Sequence, residues 1–174
     1  MLKMNSYIIK NVSSTLGNEM VFSIPKELND RYYKMNKDYY DIIINLNEKY
    51  DNAYADYRNS IDSNEDILKQ ILDGFSESIG IYERKFFKSK EIIKNEYFDL
   101  LLNFSIDALN KIYDKTLETC CLYDDFLDNI GYLIKDCSIE DIINISNDKF
   151  FLKKWINSII ECVESLNCEI VCKK

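Results

Sequence analysis

Apolar residues along this chain recur at steps of four and three, the spacing that collects side chains on one face of a helix. The first such run spans Lys26 to Ile61. Leu28, Tyr32, Met35, Tyr39, Ile42 and Leu46 alternate strictly, and Tyr50, Ala53, Tyr57 and Ile61 continue the stripe. Pro25 stands just ahead, where a proline can start a helix but could not continue one. The pattern predicts a helix of roughly 50 Å at about 1.5 Å per residue, a spine for the helices that follow. The step into Tyr50 repeats a step of four, so the seam shifts there. Tyr33, Tyr40 and Tyr54 widen the apolar face, which favours a bundle interior over a two-stranded coiled coil.

Asp62-Ser63-Asn64-Glu65-Asp66 reads as a break and restart, with capping-box chemistry in Asp62/Glu65 or Ser63/Asp66. A second helix carries Leu68, Leu72, Phe75, Ile79, Tyr82 and Phe86, and is expected to end or kink near Phe87–Lys90, with Ser89 as the next cap. Gly74 and Gly80 weaken it by about 1 kcal/mol each and would let a neighbouring helix come close. The third helix, Glu91 to about Thr119, is the most apolar, and Leu100-Leu101-Leu102 marks it as the central one. A fourth spans Cys120 to Lys135, separate from the third or continuous with it. Ser138 caps a short helix over 138–143, and Asn147-Asp148 opens the last, with Phe150, Phe151, Trp155, Ile159, Val163 and Leu166 on one side.

Residues 1–24 differ. Tyr7-Ile8-Ile9 and Met20-Val21-Phe22 are β-favouring runs around the turn chemistry of 13–18, so a small β-hairpin over about 6–24, or an irregular arm, precedes the helices. The expected architecture is all-α: a 1–24 arm or hairpin, then one helical bundle over 25–174 with four or five helices after the spine. Only four glycines and one proline interrupt the 174 residues, which suits long helices.

Composition then narrows the function. The net charge of −8 argues against direct nucleic-acid binding, which needs clustered Lys and Arg, and permits a basic partner. No apolar run approaches the roughly 20 residues that span a bilayer, and no signal-peptide pattern opens the chain, so a cytoplasmic protein without a membrane role is expected. Heavy use of Asn, Ile, Lys, Asp and Tyr points to an AT-rich genome. There is no histidine, which removes Ser-His-Asp and Cys-His nucleophiles and the Glu-x-x-His di-iron pattern. Phosphate-loop, dinucleotide and nucleophile-elbow motifs are missing as well. A non-enzyme with no cofactor and no metal is the expectation.

Three residue sets remain. Cys120, Cys121, Cys137, Cys162, Cys168 and Cys172 form no C-x-x-C and read as reduced, small apolar residues. The thirteen tyrosines divide into core positions such as Tyr32 and Tyr39, and flank positions Tyr33, Tyr40, Tyr54 and Tyr57 suited to recognition. The acids are uneven. Residues 114–149 hold nine of them, among them Asp124, Asp125, Asp128, Glu140 and Asp141, against Lys115, Lys135 and Lys149. That local balance of −6 would speed capture of a basic partner, or simply make a solvated helix surface.

A small, acidic, all-helical chain of this composition resembles bacterial toxin-immunity proteins and phage anti-defence inhibitors. That resemblance implies an inhibitor that occupies a partner's surface, in some cases as an acidic mimic of nucleic acid. Asp128-Asn129-Ile130-Gly131 and Trp155-Ile156 are similar to the two homology motifs of the poxviral Bcl-2-like group, with Ile130 and Tyr132 where the first motif has Trp and Arg. That resemblance implies an apoptosis antagonist. The reading carried forward is a binding protein whose partner is a basic or nucleic-acid-handling protein, met through Tyr33, Tyr40, Tyr54, Tyr57, Asp124, Asp125, Asp128, Glu140 and Asp141. The alternatives are the apoptosis antagonist and a self-assembling helical protein that dimerises through its long helix.

Overall fold

The computed structural model describes residues 19–59, 65–112 and 123–166, and among them every regular element is a helix: α1 (Lys26–Asn59), α2 (Glu65–Ile112), α3 (Tyr123–Lys135), α4 (Ile139–Asn147) and α5 (Lys149–Ser165). The fold is all-α, as the four-three spacing implies. None of these helices is long and apolar enough to cross a membrane. The turn and first strand of the expected hairpin, the 60–64 restart and the junction of the expected third and fourth helices lie outside the described residues. Of the arm, Met20 and Phe22 are buried while Val21 between them is 79 % exposed, the alternation of an extended segment.

One expectation is corrected. No break occurs near Phe87–Lys90, because α2 runs unbroken for 48 residues. The apparent gap arose because the inward position between Phe86 and Ile93 is filled by a lysine. Lys90 is half-buried, and its ammonium lies 5.8 Å from the Phe86 ring centroid, so its stem continues the stripe that Tyr97 and Leu101 extend. Neither glycine marks a close helix approach either. A Cβ on Gly74 would meet nothing within 4 Å, and one on Gly80 would meet only Arg84 Nη1 of the same helix, at 3.4 Å.

The chain divides into two compact units, Pro25–Ile93 and the remainder, residues 1–24 with 94–174. The first is a helical hairpin. Tyr39 stacks on Phe86 with centroids 3.9 Å apart, and Tyr57 donates a 3.0 Å hydrogen bond to Glu65. The two pairs have nearly the same index sum, the signature of antiparallel helices. The second unit holds the core. Tyr97, Leu101, Phe104, Ala108, Leu109 and Ile112 on α2 are buried, as are Phe126, Ile130 and Ile134 on α3 and Ile139, Ile142 and Ile145 on α4. Helix α5 packs against both α3 and α4. It buries Leu152, Trp155, Ile156, Ile159, Ile160 and Val163.

Polar groups in that core are satisfied. Ser105 is fully buried and accepts 2.9 Å from the Trp155 indole N–H while its hydroxyl donates 2.6 Å to the Leu101 carbonyl. Phe22 meets Phe104 at 5.1 Å. Asp148 makes the tight corner between α4 and α5. Its N–H closes α4 on the Asn144 carbonyl at 2.9 Å, and its carboxylate accepts from Phe150 N–H at 2.8 Å to open α5.

Candidate functional site

The nine residues singled out by sequence fall into two groups on different units. Tyr33, Tyr40, Tyr54 and Tyr57 lie on α1 of the hairpin; Asp124, Asp125 and Asp128 lie on α3, and Glu140 and Asp141 on α4, of the core unit.

The tyrosines separate by exposure. Tyr33 and Tyr40 are 58 % and 59 % exposed, and Tyr54 is also open to solvent. At about 100° per residue, Tyr33, Tyr40 and Ile44 share one side of α1, and Ile44 is exposed too. Each of the two outer tyrosines leans on its inner neighbour, with ring centroids 5.6 Å apart for Tyr32–Tyr33 and 5.5 Å for Tyr39–Tyr40. Tyr54 lies parallel to Tyr50 at 6.3 Å. Tyr57 is different: it is half-buried and bonded to Glu65 at the closed end of the hairpin. Donation to that carboxylate, with its negative charge, raises the Tyr57 pKa above the usual phenol value.

The acids divide as well. Asp124, Asp125 and Asp128 are exposed within the first two turns of α3, where acids are favoured by the helix dipole. Glu140 and Asp141 are exposed in the first turn of α4, and Asp141 closes a capping box. It accepts 2.9 Å from Ser138 N–H and 2.7 Å from the Ser138 hydroxyl, while its own N–H donates 3.0 Å back. The Ser138 backbone bond, then its hydroxyl, hold the Asp141 carboxyl below the usual range. Asp141 is thus a helix-starting residue first. Within the motif similar to the Bcl-2-like group, Ile130 is buried, and Trp155 is committed to Ser105.

Sequence reasoning missed a groove on the hairpin. An open groove of about 480 Å³ lies between α1 and α2, lined by the apolar or aromatic Met35, Tyr39, Ile42, Tyr82, Phe86 and Ile93, by the basic Arg31, Lys34 and Lys85, and by Asp38 and Ser89. Lys85 stands 5.6 Å over the Tyr82 ring. Partial burial, followed by the charge of Glu83, raises the Tyr39 pKa. The signal was present as the basic and aromatic run Arg84-Lys85-Phe86-Phe87-Lys88, but only the pairing of the helices turns half of it into a wall.

Both described cysteines are held away from the thiolate form. Cys137 is half-buried with its thiol 3.5 Å from the Leu133 carbonyl, and burial, then Asp141 and Asp136, push its pKa up to about 11. Cys162 is shifted upward by burial and then Glu161. Among the described residues no three His, Cys, Asp or Glu side chains gather as metal ligands.

Comparison with models of known protein families, with curated proteins and with solved structures finds no match.

Proposed function

We propose that this chain is a non-enzymatic binding protein of inhibitor or antagonist type that works by occupying another protein's surface, with the helical hairpin as its contact element. One observation carries the reading. Among the described residues the hairpin holds only four of the 24 buried hydrophobic residues (Leu28, Tyr32, Leu72 and Ile93) yet eleven of the 15 exposed large ones. Exposed apolar side chains gathered in one region, several of them tyrosines, are the usual mark of a protein-contact surface. The acids of α3 and α4 serve to steer a basic partner toward the chain and change the rate of capture more than its lifetime.

Site-specific photocrosslinking tests this in cells that make the protein. A benzophenone side chain at position 33 or 40 is expected to give one discrete adduct with another protein, and the same group at the exposed position 107 of the core unit none. Equal or no adducts from the two regions would overturn the reading. A second reading, self-assembly through α1, is favoured by the stripe from Met35 to Tyr57, which is only half-buried apart from the exposed Ile42. Adducts between two copies, with sedimentation that changes with concentration, would select it instead.

A further inference from the structure

We infer that the hairpin groove between Arg31–Ile42 and Tyr82–Ile93 is a seat for an acidic amphipathic helix of a partner protein; this rests on the protein-binding reading above, and the docked helix is a segment of the partner distinct from the basic surface that the α3 and α4 acids attract. The shape argues for a helix. The α1 wall runs from Arg31 to Ile42, eleven steps or about 16 Å, which matches three turns of a docked helix. A channel between two antiparallel helices accepts a third by ridge-into-groove packing, and the apolar lining supplies sockets for residues at i, i+3, i+4 and i+7.

Charge selects the occupant. The groove lining carries Arg31, Lys34 and Lys85 against Asp38 alone, on a chain whose net charge is −8. Over 31–42 and 82–93 the two helices carry Arg31, Lys34, Lys37, Arg84, Lys85, Lys88 and Lys90 against Asp38, Asp41, Glu83 and Glu91, a local excess of positive charge. A helix with Leu or Phe on one side and Asp or Glu flanking it places carboxylates beside Lys34 and Lys85 and avoids burying a like charge. The side of α1 that lines the groove at Arg31, Lys34, Asp38 and Ile42 is about 180° around the helix from Tyr33, Tyr40 and Ile44. The two surfaces can therefore be tested separately.

The probe is a fluorescein-labelled amphipathic peptide about 14 residues long, roughly 21 Å as a helix, with leucines on one side and glutamates flanking them. A matched peptide carries lysines at the flanks, and a labelled single-stranded oligonucleotide checks for nucleic acid. Anisotropy with the full chain is expected to show saturable binding of the glutamate peptide, at least about tenfold tighter than the lysine peptide. Lys34→Glu with Lys85→Glu should reverse that order, while Tyr33→Ser with Tyr40→Ser leaves it unchanged. No saturable binding, equal affinity for both peptides, or preference for the oligonucleotide would overturn the inference. So would a dimer that Lys34→Glu with Lys85→Glu converts to monomer, because the occupant would then be a second copy. Photocrosslinks from positions 33 and 40 that persist without peptide binding would remove the groove and leave the binding protein standing.

Discussion

The hairpin of Pro25–Ile93 and the core unit are made of the same element, built on the same apolar spacing, and share one helix, yet they treat their apolar side chains in opposite ways. The core unit holds Tyr97, Leu101, Leu109, Ile130, Ile142 and Ile156 at essentially no exposure. The hairpin leaves Tyr33, Tyr40, Ile44, Ile67, Phe87 and Ile92 more than half exposed. Four helical segments share the core unit, α2 from Lys94 onward with α3, α4 and α5, so each stripe finds partners. Two helices alone can cover only one stripe each, and anything that widens a stripe stays in water. Burial in one region and presentation in the other thus follow from helix number, not from a difference in residue type.

Substitutions separate the two regions by size of effect. Trp155→Ala removes a buried indole, leaves Ser105 only its bond to the Leu101 carbonyl, and is expected to cost about 3–5 kcal/mol in urea unfolding. Tyr33→Ala or Tyr40→Ala should change stability by no more than about 0.5 kcal/mol. Comparable losses from the two kinds of variant would erase the distinction. Ser105→Ala deletes the acceptor of a buried indole N–H and should cost about 1–3 kcal/mol, with Trp155 fluorescence reporting the change.

At the start of α4, Ser138→Ala is expected to lose about 1 kcal/mol. Asp141→Asn should lose less, and its deficit depends on pH in a definite direction. The folded carboxyl is held below its usual value, so its contribution is complete above the unfolded pKa near 3.9 and disappears as pH falls through the lowered folded value. The unfolding midpoints of wild type and Asp141→Asn should therefore converge in acid. One substitution has the opposite sign. Gly74→Ala, where the new methyl meets nothing, should raise stability by about 0.5–1 kcal/mol.

Much of this fold was legible in periodicity. The stripe from Leu28 to Tyr57, the cap at Ser138 and the corner at Asp148 all follow from local spacing and capping chemistry, which act within a few residues. The reading failed at Phe87–Lys90 because a pattern of apolar letters treats Lys90 as polar, although its stem lies along the stripe. It could not reach the Ser105–Trp155 bond, whose partners are 50 residues apart. The groove escaped for the same reason: Lys34 and Lys85 line one groove only after α1 and α2 fold back on each other. Asp141 shows the converse, since an acid counted toward a charged face is held in its helix's first turn.

The most direct measurement uses the protein recovered by crosslinking from position 33 or 40, immobilised for surface kinetics against three forms of the full chain. Tyr33→Ser with Tyr40→Ser is expected to weaken binding at least about tenfold, mainly by faster dissociation. Asp124→Lys with Asp125→Lys and Asp128→Lys should slow association and flatten its salt dependence while dissociation stays the same. If the tyrosine variant binds like wild type and the acid variant does not bind at all, the contact surface is on α3 and the hairpin is not the binding element.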